Sequence, residues 1–188
     1  MPYSRSPRKK AEPLDEAALY EYALGALGRR MRTVAQLKRL MRAKVEEGET
    51  GEVKVEAVVT KLKAMHYLND AAFATEYTRL RQENEKFGKR RVQQELMLKG
   101  VHPELVTTTL DSAYENMNEE DLARRHLERK GVRKPKDEKE TARVMRRLVR
   151  AGFSLGVIYK VLRNWEIAED AIAALEGLEA EDEGGAEE

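Results

Sequence analysis

The pair Gly88-Lys89 in "KFGKRR" is the kind of couple that can cradle a phosphate. Glycine lets backbone N–H groups approach the ligand, and lysine adds a charge. A nucleotide-binding loop of that design also needs a glycine five residues earlier and a Ser or Thr directly after the pair. Those positions hold Glu83 and Arg90, so no phosphate loop is expected. The three histidines, His66, His102 and His126, have no second ligand at a helical metal-binding spacing. His66 precedes "YLND" at a helix end, where a packing or capping role is the expectation. No G-x-S-x-G, G-x-G-x-x-G or helical H-E-x-x-H pattern occurs, and cysteine is absent. Neither an enzyme nor a cofactor-dependent protein is indicated, which leaves binding.

Binding chemistry is carried by the bases. Residues 1–167 hold all 35 Lys and Arg against 25 Asp and Glu, whereas 168–188 hold nine acids and no base, so the net +1 hides two opposed blocks. A basic body calls for an acidic partner, either nucleic acid or a protein with an acidic face. With Val144 and Leu148 turned inward, a helical step of 100° puts Arg143, Arg147 and Arg150 down one flank, with Arg146 beside them. With Val92 and Leu96 inward, Arg90 points away from the core and Arg91 lies to one side. Lys86, Lys89, Lys99, Lys160 and Arg163 complete the candidate surface.

The elements that must position these bases are helices. Apolar residues recur three and four apart, as in Leu19, Ala23, Leu27 and Phe73, Tyr77, Leu80, and the alternation of strands is missing. Asp15, Thr33, Asp70, Pro103 and Asn118 mark starts, and Gly28, Gly48 to Gly51, Gly100, Gly131 and Gly152 mark stops. Tyr67, Phe73, Tyr77, Phe87, Phe153 and Tyr159 are expected mostly in the core, with Trp165 as a core cap or exposed anchor. Sliding the chain by 52 residues brings Val92, Leu96, Gly100, Val101, Leu105, Val106 and Leu110 onto Val144, Leu148, Gly152, Phe153, Val157, Ile158 and Leu162. A looser copy runs from Leu37 to Val45 and on to Val58, Val59 and Leu62, with "EEGETGE" between its helices.

The expected fold is therefore all-α: three tandem three-helix repeat modules forming an elongated, curved helical array. Modules are expected at 12–68, 69–116 and 117–167, flanked by a basic flexible N-terminus at 1–11 and an acidic tail at 168–188. The tail reads as a solvating segment, or alternatively as a competitor that covers the arginine face. No signal peptide or membrane span is visible, so a cytoplasmic monomer is expected.

"HYLNDAAFATEY" and "KFGKRRVQQELMLKGV" resemble the signatures of the bacterial RecX family of recombination regulators. Tyr67, Leu68, Asn69, Asp70, Phe73 and Ala74 fit the first signature, with His66 where the family has glycine. Gly88, Arg91, Val92, Glu95, Leu96, Lys99, Gly100 and Val101 fit the second, and "RRLVRAGFSLGVIYKVL" resembles the third-module signature. The resemblance implies a protein that lies in the groove of the RecA–DNA filament. Such a protein inhibits strand exchange, ATP hydrolysis and co-protease activity by contact, without an active site. The alternatives are a helical repeat that binds DNA directly and a generic scaffold switched by its tail; naked DNA is expected to be bound only weakly and non-specifically.

Overall fold

A computed structural model describes residues 12–165, all of whose regular elements are helical. In chain order they are α1 (Glu16–Arg29), α2 (Val34–Arg42), α3 (Glu49–Ala64), α4 (Asp70–Leu80), α5 (Lys89–Leu98), α6 (Pro103–Tyr114), α7 (Glu119–Arg129), α8 (Glu138–Arg150) and α9 (Leu155–Arg163). A π-helical turn, Arg81–Glu85, continues α4. Two compact units result: one runs to Phe73 and includes Lys99–Val101, and the other comprises Ala74–Leu98 and the residues from His102 onward. The basic N-terminus at 1–11 and the acidic tail at 168–188 lie outside the described residues.

In the first unit α1, α2 and α3 pack on one another around Leu19, Ala23, Leu37, Met41, Val55, Val58 and Leu62. Asp15 caps α1 by accepting the Ala18 N–H at 2.8 Å. Thr33 caps α2, its hydroxyl accepting from the Gln36 N–H while the Gln36 side chain accepts the Thr33 N–H. Fully buried, that hydroxyl also donates to the Lys99 carbonyl at 2.6 Å. Asp70 does not cap its own helix. Asn69 does so, accepting from Ala71 and Ala72, and Asp70 instead accepts the Val34 N–H of α2 at 2.8 Å. One carboxylate thus satisfies an orphan donor at the start of a helix 36 residues upstream.

Two of the sequence stop signals behave otherwise. Gly28 lies inside α1, and Gly48 opens α3 rather than closing α2. The supposed insert "EEGETGE" supplies the first turn of α3, where Glu49 and Glu52 favour the positive end of the helix. Gly51 is buried against the Glu46 carbonyl, which a Cβ would approach to 2.0 Å.

Helices α3, α7 and α8 finish on one common device. A residue in the left-handed region closes the turn, with its N–H on the carbonyl three residues back and the next N–H on the carbonyl five back. In α7 and α8 this residue is Gly131 (φ 65) and Gly152 (φ 90), but in α3 it is His66 (φ 59). The histidine's role is thus to terminate the helix, against the steric cost that any Cβ carries there. Tyr67, the next residue, is 60% exposed rather than core, because the reversed turn hands the inward position to Leu68.

The 52-residue repeat holds in three dimensions. Val92 and Val144, Leu96 and Leu148, Val101 and Phe153, Val106 and Ile158, and Leu110 and Leu162 are all buried, while Leu105 and Val157 are both half-buried. Gly100 and Gly152 both take positive φ, 79 and 90. In the second unit α6 packs on α5, and α9 packs on α7 and α8. The junction between α8 and α5 is backbone on backbone. Gly88 donates to the Ala151 carbonyl at 2.9 Å and Arg90 to the Gly152 carbonyl at 3.3 Å. A Cβ on Gly88 would lie 2.4 Å from the Gly152 oxygen, and one on Gly152 would lie 2.2 Å from the Arg91 nitrogen. The Tyr114 hydroxyl donates to the Phe87 carbonyl at 2.9 Å and fixes the residue before this contact.

Gly88→Ala should therefore destabilise the protein by roughly 2–4 kcal/mol, read as a lowered urea midpoint, because the overlap is with backbone that cannot rotate away. Gly25→Ala, on an exposed helical face with nothing near its Cβ, should shift the midpoint the other way by about 0.5–1 kcal/mol. His66→Gly should stabilise by about 1 kcal/mol in the same assay, since it removes a left-handed Cβ without removing a core contact.

Candidate partner-binding surface

The second unit holds most of the candidate bases, and its polar interior decides which of them are free. Glu95, nearly buried on α5, receives the Tyr77 hydroxyl at 2.6 Å and the Arg91 Nε at 3.0 Å, with Arg81 ion-paired at 2.9 Å. Both guanidiniums lie over aromatic rings, Arg81 over Tyr77 and Arg91 over Phe87. Burial pushes the Tyr77 hydroxyl up from its ordinary value, and its bond to Glu95 adds to this. Arg91 is therefore half committed to an internal cluster, and Lys89 is paired with Asp111 at 2.6 Å. Lys86 forms the left-handed turn (φ 55) that ends the π-helical segment. Lys99 belongs to the compact body of the first unit, where its carbonyl serves Thr33.

Helix α8 is different. Asp137 caps it by accepting the Glu140 N–H at 2.7 Å, and Glu138 and Glu140 keep the acids of this helix in its first turn. Thr141, Val144, Met145 and Leu148 are buried. Opposite them, Lys139, Arg143, Arg146 and Arg150 project within about 30° of the outward direction, spread over about 16 Å of helix. All four are exposed. None has an ion-pair partner among the described residues, whereas Arg79 on α4 and Arg124 on α7 each hold two carboxylates. Arg147, expected within the stripe, is instead half-buried, and its charge is felt by His126. Lys139 takes its place. It could have been found by extending the i, i+4, i+7 spacing one step toward the N-terminus. Arg90, Lys160 and Arg163 are exposed as expected, and Trp165 is half-buried.

His126 is a core residue between Phe87 and Phe153, with ring centroids 5.9 and 6.2 Å away. Its Nδ1 lies 2.8 Å from the Glu85 carbonyl, which can only accept, so Nδ1 carries the proton. Among the described residues no group of three or more His, Cys, Asp or Glu could hold a metal ion, and no helix is long and apolar enough to cross a membrane.

Two family models match this chain, the second RecX three-helix domain over residues 69–110 and the third over 118–162. The regulatory protein RecX of Leptothrix cholodnii is 33% identical over 141 residues, which cover 75% of this chain and 85% of that protein. The chain belongs to the RecX family of regulatory proteins. The RecX of Geobacillus thermodenitrificans is 34% identical over 146 residues, and there the match spans only about half of the relative, 52% of its length. The crystal structure of RecX from Lactobacillus salivarius superposes with a TM-score of 0.63 at 17% identity, covering 81% of this chain and 97% of that one. This likeness and the two family models support the all-α repeat fold expected from the sequence. The glycine of the RecX first signature corresponds to His66, whose left-handed backbone explains why glycine suits that position.

Burial holds the His126 imidazole below its ordinary value, and the charges of Lys130, Arg147 and Arg129 act in the same direction against the Glu85 bond. A histidine neutral in the folded state resists a proton that the unfolded chain accepts. Its contribution is complete above the unfolded value near 6.5 and is lost as pH falls from there toward the lower folded value. Urea midpoints should therefore drop between about pH 7.5 and 5.5, by at most about 1.4 kcal/mol per pH unit from this group. His126→Gln, which keeps a donor for Glu85, should flatten that part of the profile.

Proposed function

We propose that this chain binds the RecA–DNA filament and inhibits strand exchange, ATP hydrolysis and co-protease activity by contact in the filament groove, with no catalytic step of its own. The observation that carries this reading is the outward row of α8, exposed and without carboxylate partners among the described residues, in a chain of the RecX family. Cationic side chains four and three residues apart present a linear charge pattern suited to an acidic protein face or a phosphate backbone. The modules serving this role are 12–68, 69–116 and 117–167, acting as a monomer in the cytoplasm. Several weak contacts along a filament gain from one another through effective concentration.

Inhibition should appear in a RecA strand-exchange and ATPase assay at stoichiometries near or below one chain per filament subunit. Arg143→Glu, Arg146→Glu and Arg150→Glu together should raise the half-inhibiting concentration at least about tenfold, since three charge contacts of order 0.5–1 kcal/mol each are reversed. Full inhibition by that variant would remove α8 from the interface, and none by the parent chain would reject the reading. Direct duplex binding as the main activity would instead show a log–log salt slope of about −0.9 per phosphate neutralised.

A further inference from the structure

The α8 row raises a question about the free protein: four exposed cations on one helix face repel each other, and like charges at these spacings destabilise a helix by a few tenths of a kcal/mol per pair. Elsewhere several such groups are matched, although Arg39, Arg90 and Arg125 are also exposed and have no ion-pair partner among the described residues. Arg42 and Glu52 form a two-point pair at 2.7 and 2.8 Å, Arg79 sits between Glu76 and Glu83, and Arg129 reaches Glu85 at 2.9 Å. The same chain carries its largest imbalance of the opposite sign in residues 168–188, with nine acids and no base.

We propose that residues 168–188 seat on the Lys139–Arg143–Arg146–Arg150 face of α8 in the free chain, as an intramolecular acidic occupant that an external partner must displace. Three observations support the assignment. Charge is complementary, nine acids facing four cations that lack carboxylate partners among the described residues. The tether is short in sequence: α9 packs on α8 and ends at Arg163, five residues before position 168. Reach is ample, because 20 residues can span up to roughly 65–70 Å and the row is only about 16 Å long. A segment tethered this closely acts at an effective concentration on the order of millimolar, enough to occupy a face whose individual contacts are weak. The pairing is electrostatic and solvent-exposed, so salt should release it.

Absence of native cysteine allows one spin label to be placed in the full chain, by Ala180→Cys. At low salt the labelled protein should broaden the backbone amide signals from Lys139 to Arg150 selectively, compared with the same sample after reduction of the label. Raising salt to about 0.5 M, where screening acts within a few ångströms, should restore those signals. Arg143→Gln, Arg146→Gln and Arg150→Gln in the labelled chain should also restore them, with the rest of the spectrum unchanged. Sharp α8 signals at low salt would overturn the proposal. So would broadening that survives both salt and the glutamine substitutions, or broadening centred on another basic surface. The measurement contains no recombinase, so its outcome is independent of the filament reading above.

Discussion

Everything in the second unit depends on a place where two backbones meet with no side chain between them. The last carbonyls of α8 face the first amides of α5, at Ala151 and Gly152 on one side and Gly88 and Arg90 on the other. A helix end carries unsatisfied carbonyls and a partial negative charge, and a helix start carries the reverse, so each supplies what the other lacks. Glycine is required on both sides because the approach leaves no room for a methyl group. The first unit repeats the theme with different chemistry. There the Lys99 carbonyl is taken by the Thr33 hydroxyl, and a Cβ on Gly100 would overlap the Ala35 methyl at 2.4 Å. Positions 100 and 152, one repeat apart, thus share one requirement: positive φ and no room for a Cβ.

How much of this could be read from the chain follows from the range of each interaction. Helical periodicity and the 52-residue shift are local or self-referential, so the elements, the inward faces and the shared glycines were legible. Asp15, Thr33 and Asn118 act on their own helices and were found as caps for that reason. Asp70 does mark the start of α4, but its carboxylate serves Val34, and nothing in a linear sequence distinguishes a carboxylate that caps its own helix from one that caps another. Gly48 and Gly51 look like stops because glycine at a helix start and glycine at a helix end carry the same letter; the acids around them are the better signal.

The candidate surface divides on similar grounds. Which side of α8 faces outward follows from its apolar residues, and Arg143, Arg146 and Arg150 are where that pattern puts them. Arg91 and Lys89 also looked like free charges, but Glu95 and Asp111 claim them, and those acids are neighbours in space that composition alone does not reveal. Arg147 sits on the edge of the buried stripe, where a small rotation decides between solvent and His126. The family resemblance fits this division, because its second signature includes Gly88, Arg91 and Glu95, residues that build the junction and the buried ion cluster rather than the outward row.

The junction at Gly88 also orders events in time. Its acceptor, the Ala151 carbonyl, lies 63 residues further along the chain. During synthesis α5 therefore emerges with its first amides unanswered, and water must hold them until α8 and its turn have been made. Closing so long a loop must precede the reward of its contacts, which places the step late and makes it slow relative to helix formation. A nascent chain interrupted before residue 151 would carry helices α4 to α7 without the element that locks them, a partly folded and aggregation-prone species. The two glycines thus serve as a completion check: the second unit becomes fully cooperative only when nearly all of it exists.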